Sequence, residues 1–218
     1  LSAIATITQE LRADLRTWLL GQNYPEVVEF EQGTAYGPDE AFYTKSPWYQ
    51  YYTTEWHLDP NVQHFIKIIH EMSADDTSYI DVGCATGLTG LTLAHLRPTQ
   101  LVTFYDFPGI GQDFILDHSA RYHLNTAFIP YGHAVQRHSL ALALDVLEHT
   151  AMHTGTLEWL RHLGDNCAVT YPLRPFRPPF IKEADEFVDD EALIWTAEKR
   201  YKIILSEVAN QRRFLLYQ

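Results

Sequence analysis

The chain has 218 residues, 46% of them apolar and 20% charged, with a net charge of −12. That size and composition suit one large globular domain, or one domain with an added segment, and the acidic balance argues against a nucleic-acid partner, whose phosphates call for a basic face. Cys84 and Cys167 are too few for a disulfide framework or a CxxC zinc pattern. No apolar run is long enough for a membrane span, and charges interrupt Leu1 to Leu20, so a reducing, cytoplasmic setting without membrane attachment is expected.

In chain order, Leu11, Leu15, Trp18 and Leu19 recur at helical spacing and predict an amphipathic helix over Thr8 to Leu20, with Thr8 as its N-cap. Gly21 to Asp39 reads as a connecting loop. Ala41 to Leu58 is dense in aromatic rings, and Asp59-Pro60 opens a helix through about Met72 in the favoured cap-then-proline order. From Thr77 the rhythm alternates. Tyr79 to Val82 predicts a strand and Thr86 to Leu96 a helix, followed by a strand over Leu101 to Tyr105 and a helix over Gly109 to Tyr122. Strands at Thr126 to Pro130, Leu140 to Leu144 and Cys167 to Tyr171 follow, the last two flanking a helix near Thr154 to Leu163. Such alternation implies a parallel sheet covered on both faces. Tyr201 to Val208 and Arg213 to Tyr217 read instead as a terminal hairpin.

"SYIDVGCATGLTG", Ser78 to Gly90, is the most informative stretch. A strand ends, small residues follow, and a helix begins. In a doubly wound sheet ligands gather at the carboxyl ends of the strands. Glycines there allow a close backbone approach, and the helix start offers free N–H groups. Counted from Gly83, the dinucleotide fingerprint G-x-G-x-x-G fails at Ala85 and Leu88, and a phosphate loop lacks its lysine at Leu88. The stretch resembles instead the pattern [D/E]-x-G-x-G-x-G, with Ala85 at the middle glycine. That pattern is the cofactor loop of the class I S-adenosylmethionine (SAM) dependent methyltransferases. Asp106, closing the second strand, and "ALALDVLEHT", Ala141 to Thr150, carry the resemblance further, and it covers Ser78 to Gln218.

The resemblance implies an α/β fold: a class I methyltransferase-type, doubly wound, seven-stranded sheet in the order 3-2-1-4-5-7-6, strand seven antiparallel. Residues 77–218 would form the SAM-binding core and residues 1–76 an N-terminal helical and aromatic cap. SAM is the implied cofactor, held by Asp81, Gly83, Cys84, Ala85 and Gly87 of the loop, Asp106 and Phe107 after the second strand, and Asp145 and Val146 after the fourth. The residue contacting adenine is unassigned, with Tyr131-Gly132-His133 in that region. His149 is the first candidate for a general base, with Tyr43, Tyr52 and His57 from the cap as others. Trp48 is a candidate acceptor contact within the aromatic segment, whose ring faces would favour a sulfonium cation. Arg174 and Arg177, on a proline-stiffened loop after the fifth strand, are candidates for an anionic group of the substrate. No metal is expected.

The expected function is methyl transfer to O, N or C of a small molecule. Intramolecular cyclisation of SAM, or aminocarboxypropyl transfer releasing methylthioadenosine, is the alternative. A non-catalytic binding protein on the same fold is the third reading, and a NAD-dependent enzyme the fourth. A homodimer is a possible assembly.

Overall fold

The computed structural model describes residues 2–25, 27–28, 46–147, 150, 153–173, 189–209 and 212–218, the side chain of residue 48 excepted. In chain order the elements are α1 (Ala3–Gly21), α2 (Pro47–Leu58), α3 (Pro60–Met72), β1 (Tyr79–Val82), α4 (Leu88–Leu96), β2 (Val102–Asp106), α5 (Ile110–Tyr122), β3 (Thr126–Pro130), β4 (His138–Leu144), α6 (His153–Leu163), β5 (Gly164–Pro172), α7 (Asp190–Arg200), β6 (Ile203–Ala209) and β7 (Arg212–Tyr217).

The seven strands form one sheet in the order β3-β2-β1-β4-β5-β7-β6. The first five are mutually parallel and β7 runs antiparallel to both of its neighbours. This is the arrangement the resemblance implied. All four residues of β1 are buried. Alternate side chains go to opposite faces of a strand, so an apolar run of this kind needs a layer on each side. Tyr79 joins a cluster with Leu11 and Leu15 of α1, Phe65 of α3, Leu91 of α4 and Phe114 of α5. Ile80 and Val82 join the other, with Leu157 and Leu160 of α6 and Leu193 of α7. Phe65 stacks on Phe214 of β7, with centroids 4.7 Å apart, which fastens α3 to the sheet.

Three elements differ from expectation. Helix α1 begins five residues before Thr8 because Ser2 is the cap, its Oγ accepting from the Ala5 N–H at 3.2 Å. Thr8 is buried inside the helix, where its hydroxyl donates to the Ile4 carbonyl. The aromatic segment contains helix α2, opened by Pro47; Gln50, Thr54 and His57 are buried at helical spacing. Helix α7 stands where the sequence suggested no element. Asp189 caps it by accepting from the Ala192 N–H at 3.0 Å, and its acidic first turn and basic last turn complement the helix dipole.

Candidate active site

The loop after β1 is a tight reversal. Gly83 N–H donates to the Tyr105 carbonyl at 2.9 Å, and Gly87 N–H donates to the Cys84 carbonyl at 2.7 Å. Gly83, Ala85 and Gly87 have φ of 65°, 48° and 71°, the left-handed region that glycine enters freely and alanine at a cost. A Cβ on Gly83 would stand 2.7 Å from Cγ2 of Val146, so the turn after β4 packs directly on this loop. Helix α4 has Gly87 at its N-cap, without a side chain to satisfy its first N–H groups. Asp81 supplies the acceptor instead: its Oδ2 takes the Gly90 N–H at 3.0 Å. Burial pushes the Asp81 carboxyl up to about 7, against the Gly90 hydrogen bond that lowers it. Cys84 is buried, and burial also pushes its thiol up.

Asp106 closes β2 and ties the two edge loops together. Its Oδ2 accepts from the Ala85 N–H at 2.7 Å and its Oδ1 from the Phe107 N–H at 2.6 Å. Burial raises its pKa. Beside it Phe107 and Tyr131 are both more than half exposed, with ring centroids 4.7 Å apart. Tyr131 N–H donates to the Asp106 carbonyl at 2.7 Å. Gly111, in the first turn of α5, lies against the loop so closely that a Cβ there would overlap the carbonyl oxygen of Ala85. Among the described residues the fully buried hydroxyl of Thr86 has no hydrogen-bonding partner.

A second group meets around the turn after β4. Asp145 has φ 54° and is held by Thr170 of β5, whose hydroxyl donates to Oδ1 at 2.9 Å and whose carbonyl accepts the Asp145 N–H at 3.1 Å. The other carboxylate oxygen pairs with Nη1 of Arg212, the first residue of β7. The Arg212 guanidinium carbon lies 5.6 Å from the ring centroid of Trp56 on α2.

The structure thus brings Asp81, Gly83, Cys84, Ala85, Gly87, Asp106, Phe107, Asp145 and Val146 to the carboxyl edge of β1, β2 and β4. Tyr52 is on α2, partly buried, its ring 6.3 Å from that of Tyr49. His57 is also on α2 but is engaged at both nitrogens, Nδ1 with the Thr53 carbonyl and Nε2 with the Thr89 hydroxyl, each at 3.1 Å. Burial pushes its pKa down to about 4, an arrangement that suits a neutral tether between α2 and α4 better than a proton carrier. Trp48 lies in α2, its side chain outside the described set. His149, Tyr43, Arg174 and Arg177 lie outside the described residues. Sequence reasoning placed Tyr131 in the adenine region without assigning it a role, and missed Thr86, Gly111 and Arg212. Tyr131 had a readable signal, its place directly after the third strand; the other three had none beyond residue type.

No protein-family model matches the sequence, and neither does any curated protein. Solved structures do match the fold. Magnesium protoporphyrin IX methyltransferase from Synechocystis, with S-adenosylhomocysteine (SAH) bound, is 14% identical, with a TM-score of 0.58 over 72% of this chain and 80% of that one. The chain has the class I methyltransferase fold. A SAM-dependent methyltransferase from Aquifex aeolicus is 13% identical, TM-score 0.54, over 69% of this chain and 87% of that one. An rRNA methylase from Escherichia coli is 13% identical, TM-score 0.57, over 94% of this chain and 75% of that one.

That last neighbour overturns the expectation that nucleic acid is not a partner. The class I methyltransferase fold carries rRNA methylation as well as small-molecule methylation, and a net charge is a sum over the whole surface that does not describe one face. Among the described residues no helix is long and apolar enough to cross a membrane.

Proposed function

We propose that the protein is a SAM-dependent methyltransferase acting on a small molecule. The observation that carries this reading is the junction of the glycine loop with Asp106, in which one carboxylate at the end of β2 accepts from the loop's own Ala85 N–H. The residues fit the cofactor in three ways. Between Gly83 and Gly87 the loop carries only the small side chains of Cys84, Ala85 and Thr86. The buried Thr86 hydroxyl is a polar atom left without a partner among the described residues. The Asp106 carboxylate keeps acceptor capacity for a ribose hydroxyl beyond its contacts with the Ala85 and Phe107 N–H groups and the Cys84 thiol.

On this reading Asp81, Gly83, Cys84, Ala85 and Gly87 hold the amino-acid end of the cofactor. Asp106 takes the ribose, Phe107 and Tyr131 flank the adenine, and Asp145 and Val146 border the transferred group. The cofactor supplies an electrophilic methyl on a sulfonium. The chain's own task is then positioning and exclusion of water, with orientation supplying much of the rate. Helix α2 brings Tyr52 and Trp56 to the same edge, so aromatic faces suited to a cation border the site. His57 acts as a positioning residue, joining α2 to the second residue of α4 through Thr89.

The test is incubation of the purified protein with SAM, alone and with pools of small-molecule acceptors or total RNA, followed by mass spectrometry. SAH together with a small product heavier by one methyl group supports the proposal. Methylthioadenosine formed without an acceptor replaces it with intramolecular chemistry. Methylated RNA moves the acceptor to nucleic acid. Failure of SAM and SAH to bind removes the cofactor reading altogether.

A further inference from the structure

Three helices meet at a polar cluster that the cofactor reading does not use. Glu10 and Asp14 of α1, His95 of α4, and His118 and Tyr122 of α5 line an indentation of about 50 Å³. That volume admits a water molecule, so protons can reach the cluster. His118 is its deepest member, with 2% of the side chain exposed. The Nε2 of His118 stands 2.8 Å from Nε2 of His95. Tyr122 packs on both rings, with centroids 4.5 Å and 5.3 Å away. The Nδ1 of His118 is buried without a hydrogen-bonding partner among the described residues and lies 3.5 Å from Asp14 Oδ2. Asp14 is fixed there by the Tyr122 hydroxyl, which donates to the same oxygen at 2.9 Å.

The contact between the two Nε2 atoms needs one proton, since each imidazole nitrogen either donates or accepts. If His118 donated, its Nδ1 would turn a lone pair towards the Asp14 carboxylate. The favourable arrangement has His95 donating to His118, whose own proton sits on Nδ1 and faces Asp14. A first added proton goes to Nδ1 of His95 and leaves the bond intact. A second must go to Nε2 of His118, the accepting atom. It replaces the bond with two N–H groups and two cations face to face. The surrounding charges are mixed. Glu10 and Asp14 favour the charged form of His95, and Asp14 and Asp117 that of His118, while Arg121 opposes it. Burial first, and the neighbouring His95 second, hold the His118 pKa down to about 4, and burial lowers that of His95 as well.

The cluster is also a joint. It ties α1 to α4 and α5, where Leu11 and Leu15 supply apolar packing that pH does not change. The same helix holds α2: Arg12 donates to the Thr54 hydroxyl at 3.1 Å and to Glu55 at 3.2 Å. We propose that His95, His118 and Asp14 form an acid-sensitive latch that seats α1 on α4 and α5 and lets go when both imidazoles are protonated. The latch is independent of the methyl-transfer reading. Its contribution is full above pH 6.5 and is lost as pH falls through 4.

Hydrogen exchange read by mass spectrometry follows α1 and β1 at pH 7 and pH 5, each rate divided by that of an unprotected peptide at the same pH. Strand β1 reports opening of the whole fold. Protection of α1 is expected to fall at least about tenfold further than that of β1, because a released His118 ring takes up a proton that the latched ring does not. His95→Gln presents an amide that donates to the neutral ring and accepts from the charged one, so it should abolish the excess loss. NMR of the ring signals gives a second reading. The wild-type pair should take up its protons in two steps at least about tenfold apart in affinity, and His118 in His95→Gln in one. If His95→Gln does not fold, the wild-type ring titration and His118→Gln carry the test. Parallel loss of protection in α1 and β1, an excess loss that survives in the folded variant, or two rings titrating as independent histidines near 6.5 overturns the proposal.

Discussion

Asp106 Oδ2 and the Ala85 N–H lie 2.7 Å apart, linking the end of β2 to the middle of the glycine loop 21 residues before it in the chain. The bond holds an alanine at φ 48°, where a side chain is disfavoured, and so trades local strain for a fixed loop. The same carboxylate fixes the Phe107 backbone. Two loops that would border a bound nucleoside are therefore positioned by a single group.

Replacing that group is the first prediction. Asp106→Asn keeps the shape but turns one acceptor into a donor facing a backbone N–H. SAH affinity is expected to fall by about tenfold or more, and stability by about 1–3 kcal/mol, the cost of a lost charged acceptor with a buried donor left behind. Calorimetry and urea unfolding measure the two losses. An SAH affinity equal to wild type would remove Asp106 from the cofactor site.

Gly111 carries the second. A single methyl there overlaps the Ala85 carbonyl, and the obstacle is backbone, which cannot rotate away. Gly111→Ala is expected to destabilise the protein by about 1–3 kcal/mol through overpacking and to weaken SAH binding by displacing the loop. Gly132→Ala is the control: its φ of 89° makes an alanine there locally strained, which Gly111 is not, but a Cβ there meets nothing within 4 Å. It should leave SAH binding alone. Equal effects of the two substitutions on SAH affinity would refute the close-approach argument.

His57 gives a pH dependence. Its folded pKa is about 4 against about 6.5 in the unfolded chain. Between those values the unfolded state binds a proton that the folded state does not. Its stabilising contribution is thus present above pH 6.5 and is lost as pH falls through 4. His57→Gln retains hydrogen-bonding groups without titrating. The stability difference between wild type and His57→Gln should shift against wild type by about 3 kcal/mol from pH 7 to pH 4. Urea unfolding at a series of pH values reads it, and a pH-independent difference would contradict the buried neutral imidazole.

Asp81 should show the opposite sign. Its folded pKa is about 7 against the ordinary carboxyl value of 3.8, so the folded state keeps a proton that the unfolded state has released. Its contribution is full below pH 3.8 and is lost as pH rises through 7. Relative to Asp81→Asn, wild type should lose about 4 kcal/mol between pH 4 and pH 8. A difference that instead grows with pH would mean that the Gly90 hydrogen bond outweighs burial and holds the carboxylate ionised.

The strands from β1 to β5 and the helices α3, α4 and α5 were legible because their signals are local. Short apolar runs such as Tyr79–Val82 and Leu140–Leu144, a cap before a proline at Asp59-Pro60, and small residues between Val82 and Leu88 each act within one or two turns of chain. Their alternation implied a parallel sheet; the strand order came from the family resemblance. Helices α2 and α7 were not legible as helices. The aromatic density of α2 dilutes a helical period, and α7 buries only Leu193 and Ala197. The start of α1 was misplaced because Thr8 looks like a cap, and only packing shows its hydroxyl turned back to Ile4.

The glycine loop, Asp106 and the turn at Asp145 could be named from sequence, since each follows a strand and the strand marks the ligand edge. Their partners could not. Asp145 meets Arg212 across 67 residues, and His57 meets Thr89 across 32. By itself the sequence determined the strands, the helices alternating with β1 to β5 and the loop, because backbone preference and hydrophobic period act between near neighbours. Only the tertiary structure decided that Arg212 and Trp56 stand beside the β4 turn and that His57 is tethered and neutral. Those contacts depend on which strands lie side by side and how the helices pack over them, and burial, not residue type, sets what each charged group can do there.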